Sequence, residues 1–243
     1  MSALLELTGV IGGYSPELPI LHGIDMQVDA GEFVTIIGPN GAGKSTAMKA
    51  IAGLVRITEG RVTLDGRDIT NHPTEEMAEA GMAFVPQTAN IFTTLTIDEN
   101  LKLGAHTLPR KQAAQRIAQA YERFPDLVKF RDSAARSLSG GQRQMLAVAR
   151  ALLCAPRLVM LDEPSAGLAP NIVQDVFVML RRLADDGVAV LMVEQNAKGA
   201  MAVSDRTYVL AEGENRISGT SQEMLNNPEV KAIYLGNAGR KSA

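Results

Sequence analysis

The sequence predicts an α/β fold: a parallel sheet covered on both faces, strands and hairpins near the N-terminus, and a helical stretch in the middle. Three textures predict it. Residues 157–193 read strand, helix, strand. Residues 3–37 and 60–70 carry short glycine-broken runs of β character, and residues 74–156 turn helical.

In chain order, "LLELTGV", "IDMQV", "FVTIIG" and "RVTLDG" set apolar and β-branched residues between glycines, as strands and hairpins require. "STAMKAIAGL" predicts a helix with Met48, Ile51 and Leu54 at three-residue steps. "PRKQAAQRIAQAYERF" places Ala113, Ile117 and Tyr121 four apart with Ala114 and Ala118 beside them, an amphipathic helix with a small-residue face. "RSLSGGQR" reads as a loop with two glycines, Gly140 and Gly141, opening the helical run "QRQMLAVARALLC". "RLVML" and "VAVLMV" are continuous apolar runs flanking "PNIVQDVFVMLRRLADDG". In that middle segment Ile172, Val173, Val176, Phe177, Leu180 and Leu183 share one face, and Gly187 stops the helix. This order is the βαβ unit of a parallel sheet. "TYVLAEGENRISG" predicts a hairpin, and "SQEML" a terminal helix from Ser221.

At 243 residues the chain is long enough for one large domain, though two small ones also fit. A net charge of −3 with scattered Lys and Arg gives no reason to expect nucleic acid as an electrostatic partner. The single cysteine, Cys154 in "ALLCA", cannot form an internal disulfide and reads as a buried, inert thiol in a reducing compartment. His22, His72 and His106 are dispersed and read as surface or local structural residues. No run of about 18 apolar residues occurs, and "MSALLELTGV" lacks the regions of a signal peptide, so the chain is expected to be soluble and cytoplasmic.

Two stretches carry chemistry. Gly38, Gly43, Lys44 and Ser45 in "GPNGAGKST" satisfy G-x-x-x-x-G-K-[ST] between a strand and a helix. Glycines let backbone N–H groups point at phosphate oxygens, Lys44 adds positive charge, and the Ser45 hydroxyl can ligate Mg²⁺. After "RLVML" come Asp162 and Glu163, two carboxylates at the C-terminal end of a buried-type strand, where ligands bind in open parallel sheets. Their repulsion is costly unless a cation or a reaction uses it. Asp162 is assigned to the magnesium shell and Glu163 to polarising a water for attack on the γ-phosphate. The Gly140–Gly141 helix start is a second anion cradle, and one protein does not obviously need two.

The order "GPNGAGKST", "FVPQ", "LSGGQ", "LVMLDEP" resembles the ATP-binding cassette family, over nearly the whole chain and most specifically in "LSGGQ". The resemblance implies a P-loop NTPase core with a mostly parallel sheet, an N-terminal antiparallel β subdomain and an inserted helical subdomain. One domain would span 1–243, its nucleotide-binding core about 1–86 and 157–243, its helical part about 87–156. It implies ATP and Mg²⁺ as cofactors. Nucleotide contacts would come from Gly38, Pro39, Asn40, Gly41, Ala42, Gly43, Lys44, Ser45 and Thr46. It also resolves the two cradles: Ser139, Gly140, Gly141 and Gln142 would cap the ATP held by a second cassette, the same chain or a relative. Tyr14 matches the aromatic that stacks on adenine, a core or hairpin tyrosine being the alternative. Gln87 matches the glutamine that reaches the metal and the attacking water, so Ser45, Gln87 and Asp162 form the expected metal set; an ordinary polar loop residue is its alternative.

Two departures stand out. Gln195 occupies the place of the family's usual histidine; it can donate to a phosphate oxygen but cannot change charge near neutral pH, which leaves Glu163 as base and Gln195 as sensor or positioner. Ala169 replaces the usual aspartate of the segment linking the two sites. "EPSAGLAP", "VEQNA", "IFTTLTIDENL" and "AIYLG" look like the ATPase subunit of branched-chain or hydrophobic amino-acid importers, with urea or amide importers close behind. The resemblance implies transmembrane permease subunits, indirectly a solute-binding protein, and a place on the cytoplasmic face of the cell membrane held through the permease. Ile91, Phe92 and Leu95 are candidates for the permease contact, with core packing the equal alternative. A nucleic-acid-acting ATPase of the same family would carry long coiled coils, and no sustained heptads occur here.

Overall fold

The computed structural model describes residues 3–236. Among the described residues ten strands form two sheets. The first is antiparallel, in the order β2 (Leu21–Val28), β1 (Leu5–Gly13), β4 (Arg56–Leu64), β5 (Arg67–Asp68). The second runs β10 (Glu214–Thr220), β9 (Arg206–Ala211), β3 (Phe33–Ile37), β8 (Ala189–Val193), β7 (Leu158–Asp162), β6 (Met82–Val85). All its pairings are parallel except β9 with β10, so the mostly parallel sheet and the antiparallel N-terminal part stand as expected.

Strands β3, β7 and β8 are buried at every residue, which is why the stretches of β7 and β8 read as continuous apolar runs. Alternate residues serve opposite faces. Leu158, Met160, Ala189, Leu191 and Val193 face a core shared with the antiparallel sheet and helix α1 (Lys44–Ile51). Val159, Leu161, Val190 and Met192 face a core built with α2 (Ile97–Gly104), α3 (Arg110–Arg123), α4 (Pro125–Val128), α5 (Gly140–Leu152) and α6 (Pro170–Asp185). Each fully buried aliphatic side chain contributes roughly 1.5–3 kcal/mol, so the strand ends are held on a rigid platform. The expected face of α6 is the inward one, with Val176, Phe177, Leu180 and Leu183 buried, and Gly187 follows its end at φ +91. On α3, Ala113, Ile117 and Tyr121 lean on the core, whereas Ala114 and Ala118 are exposed. Helices α7 (Ala197–Met201), α8 (Ser221–Asn226) and α9 (Pro228–Gly236) complete the described chain, α8 starting at Ser221 under a Thr220 capping box.

Three readings change. Helix α1 stops at Ile51; Gly53 turns the chain at φ +73, and Leu54 is exposed instead of continuing the apolar face. Strand β6 lies inside the stretch read as helical, because four residues paired to β7 are too short to show a period. Cys154 is half-buried, not buried. The part of the expected single domain that falls on residues 1–2 and 237–243 lies outside the described residues.

Candidate functional site

The register of the parallel sheet assembles the site. Val193 of β8 pairs with Ile36 of β3 on one side and Asp162 of β7 on the other, while Val85 of β6 pairs with Leu161. The segments leaving these four strands are therefore neighbours at one edge: the phosphate loop, Gln87, Asp162–Glu163 and Glu194–Gln195. This is the carboxyl edge, where open parallel sheets bind ligands.

The phosphate loop is shaped by its glycines. A Cβ at Gly38 would lie 2.1 Å from the Leu210 carbonyl oxygen, and Gly41 and Gly43 sit at φ +81 and +93. Gly43 caps α1 without a side chain, and no acidic residue occupies the first turn, so the helix start keeps its N–H groups and dipole for an anion. Lys44 is buried, its ammonium donating to the carbonyls of Gly38 (3.0 Å) and Pro39 (3.1 Å). Burial lowers its pKa, with Glu163 and Asp162 pulling the other way. Pro39, Asn40 and Gly41 stay half or fully exposed at the tip, while Ala42 and Thr46 are buried.

The Ser45 hydroxyl donates to Asp162 Oδ1 at 2.8 Å, and Gln87 Nε2 donates to Glu163 Oε2 at 2.8 Å. Asp162 is buried, so its carboxylate does not sit in open solvent. Glu163 is half-buried and held at φ +47, a costly conformation for a non-glycine residue, fixed in part by its N–H donating to Val193 O at 2.9 Å. Hydroxyl, amide and carboxylate oxygens from Ser45, Gln87 and Asp162 are hard donors that suit Mg²⁺, and the uncapped α1 start suits the phosphates. Gln195 reaches the same place: its Nε2 donates to Asn40 Oδ1 at 2.5 Å.

Tyr14 is 63 % exposed, not in the core, with Lys49 Nζ 5.7 Å from its ring centre and donating to its hydroxyl at 3.2 Å. The Ser139 loop lies elsewhere. Ser139 and Gln142 form a capping box, Ser139 Oγ accepting from Gln142 N and Gln142 Oε1 accepting from Ser139 N. The hydroxyl proton of Ser139 stays free to donate. A Cβ at Gly140 would lie 2.6 Å from Leu168 Cδ2, and one at Gly141 2.4 Å from Ile172 Cγ2, so glycine lets α5 pack closely against the start of α6. Helices α1 and α5 belong to cores on opposite faces of the sheet, so the two cradles are not halves of one pocket within this chain.

Two residues of the region were not foreseen. Asn100, fully buried, donates to the carbonyls of Phe92, Leu95 and Thr96 and accepts from Phe92 N, fixing the turn after Gln87. Glu194, 1 % exposed, accepts from Ser165 and from the backbone of Gln195. A carboxylate closing an apolar strand was the only signal for it. Of the docking candidates, Ile91 is in the core, Leu95 half-buried and Phe92 exposed beneath Arg150, 4.9 Å from its ring centre. Among the described residues no cluster of three or more His, Cys, Asp or Glu could hold a metal, and no helix is long and apolar enough to cross a membrane.

Residues 21–166 match the ABC transporter family. The chain belongs to the ABC transporter family. It is the ATPase of such a transporter, and its P-loop fold binds ATP. The match includes the phosphate loop, Gln87, the Ser139 loop, Asp162 and Glu163; Tyr14 and Gln195 lie outside it. A probable branched-chain amino acid transport ATP-binding protein of Archaeoglobus fulgidus is 38 % identical over 96 % of this chain and 99 % of its own length. The high-affinity branched-chain amino acid transport ATP-binding protein of Pseudomonas aeruginosa is 37 % identical over 93 % and 97 %. The lipopolysaccharide export system ATP-binding protein of Acidithiobacillus ferridurans is 34 % identical over 98 % of each. Among solved structures, the ADP conformation of an ATP-binding cassette of an ABC transporter superposes with a TM-score of 0.86 at 29 % identity, covering 97 % of this chain and all of the other. A dimeric ATP-binding cassette in a post-hydrolysis state, bound to ADP and phosphate, gives 0.76 at 28 % identity, covering 92 % and 99 %.

Proposed function

We propose that this ATPase drives import of branched-chain or other hydrophobic amino acids. The observation that carries the catalytic part is the pair of 2.8 Å bonds, Ser45 to Asp162 and Gln87 to Glu163, beside the uncapped start of α1. Ser45, Gln87 and Asp162 hold Mg²⁺, which when bound neutralises phosphate charge. Residues 38–46 cradle the phosphates, Tyr14 stacks on the adenine, and Lys44 exchanges its carbonyl partners for phosphate oxygens. Glu163, oriented by Gln87 and its strained backbone, takes the proton of the attacking water. Gln195, already at the phosphate loop through Asn40, positions the γ-phosphate.

Ser139, Gly140, Gly141 and Gln142 cap the nucleotide of a second cassette, the same chain or a relative. The opposed placement of α1 and α5, and the dimeric state of one related cassette, support that reading. Two cassettes close on two nucleotides and hydrolysis reopens them, residues 87–156 passing the motion to transmembrane permease subunits, with Phe92 at the contact. Residues 1–86 and 157–243 form the nucleotide core of the single domain. The chain then sits on the cytoplasmic face of the membrane through its permease, a solute-binding protein feeding the complex.

The amino-acid assignment rests on likeness to the two importer ATPases; the export-system relative favours a second reading, an exporter ATPase. Reconstitution with the permease decides it. ATP-dependent uptake of leucine, isoleucine or valine, lost in Glu163→Gln, is the expected result. Hydrolysis stimulated by a lipid-like solute with no amino-acid, amide or urea uptake contradicts it.

A further inference from the structure

Glu194 is a buried acid outside the assigned catalytic set. It closes β8, is 1 % exposed, and among the described residues has no cationic partner. Instead it gathers donors from two loops. Oε1 accepts from Ser165 N at 2.9 Å; Oε2 accepts from Ser165 Oγ at 2.8 Å, Gln195 N at 3.1 Å and Asn196 N at 3.4 Å. A carboxylate is expensive to bury and is kept where its bonds hold a defined geometry. Burial raises its pKa, and these hydrogen bonds hold it back.

The two loops are the ones that matter. Ser165 lies two residues after Glu163, in a turn where Ala166 N donates to Glu163 O (3.1 Å) and Leu168 N to Ser165 O (3.2 Å). Leu168 is the side chain against which Gly140 packs. Gln195 touches the phosphate loop through Asn40. Ala169 caps α6 without a side-chain hydrogen bond, and the first turn of α6 contains no acidic residue.

We propose that Glu194 is a positioning residue, clamping the Glu163-bearing turn to the Gln195 loop so that a shift at the phosphate loop reaches Glu163 and, through Leu168, the Ser139 loop. The role rests on the proposed function, since it acts through Glu163. A clamp of this kind sets the attack geometry without touching nucleotide, so its loss falls on kcat and leaves ATP affinity alone. Ser165→Ala deletes one hydroxyl and spares the fold, whereas Glu194→Gln replaces one acceptor oxygen with a donor facing donors.

The test measures steady-state hydrolysis, equilibrium ATP binding and thermal midpoint for wild type, Ser165→Ala, Ser165→Thr, Glu194→Gln and the double variant, with Glu163→Gln alongside. Misplacing a reacting group by about 1 Å costs on the order of 100-fold, so Ser165→Ala and Glu194→Gln each lower kcat by about 10- to 100-fold with ATP affinity unchanged within about twofold. Ser165→Thr restores most of the rate, and the double variant falls no further than the worse single within about twofold. Unchanged kcat in Ser165→Ala, multiplying effects in the double variant, or losses that track ATP affinity or thermal midpoint overturn the clamp. Full hydrolysis by Glu163→Gln overturns the underlying reading and the clamp with it; loss in Glu163→Gln beside full activity in Ser165→Ala overturns the clamp alone.

Discussion

Replacing Gly141 with alanine sets two known quantities against each other. The gain is helix propensity: alanine is favoured over glycine by up to about 1 kcal/mol inside a helix, and Gly141 sits in the first turn of α5 at a φ open to any residue. Against it stands a Cβ placed 2.4 Å from Ile172 Cγ2, where carbon atoms prefer about 3.5–4.0 Å. More than about 1 Å must be recovered, and Ile172 is branched at Cβ and stiff at χ1, so it cannot swing its methyl aside. Overpacking of this kind costs about 1–3 kcal/mol, so the clash wins and Gly141→Ala destabilises by roughly 0.5–2 kcal/mol. Ile172→Ala removes the obstructing methyl, and in that background Gly141→Ala becomes neutral or stabilising. The urea-unfolding double-mutant cycle should therefore give a coupling of about 1–3 kcal/mol. A coupling below about 0.5 kcal/mol, or a Gly141→Ala chain as stable as wild type, refutes the packing argument and leaves anion contact as the sole reason for the glycine.

Further outcomes follow from the same geometry. Glu163→Gln should lose about 10²–10⁴-fold in hydrolysis while still binding ATP, checked by phosphate release against nucleotide binding. Tyr14→Ala should weaken ATP binding by about 0.5–1.5 kcal/mol with Tyr14→Phe near wild type, since the ring and not the hydroxyl stacks; equal losses in both point to the Lys49 hydrogen bond instead. Ser45→Ala should raise the Mg²⁺ concentration needed for half-maximal hydrolysis, and an unchanged requirement removes Ser45 from the metal set. Asp98 pays desolvation, but bonds and charge from Lys102, Arg131 and Tyr121 outweigh it, and its pKa is lowered. A depressed acid stabilises the fold above its unfolded value near 4 and loses that contribution as pH falls through the folded value. Wild type should thus exceed Asp98→Asn in thermal midpoint at pH 7, the gap closing in acid; a gap that widens on acidification has the wrong sign.

What was legible in the sequence was whatever local chemistry forces. The phosphate loop needs its glycines because backbone must pass 2.1 Å from where a Cβ would stand, and β7 and β8 need unbroken apolar runs because both faces are covered. The face of α6 could be read because sixteen residues show a period; β6, with four, could not. Contacts distant in sequence left no local mark. Glu194 reaches Ser165 across 29 residues and Gln195 reaches Asn40 across 155, so neither bond has a spacing to read. The end of α1 was misread because Leu54 continues the apolar count, while the conformation of Gly53 sends it outward.

The account turns on the phosphate loop and the Ser139 loop of one chain serving different nucleotides. Light scattering on the Glu163→Gln chain, with and without its sister ATPase and saturated with Mg·ATP, addresses this directly. Two cassettes per particle with ATP, and one with ADP, is the expected result. A single cassette under every nucleotide condition, in solution and on the reconstituted permease, contradicts it.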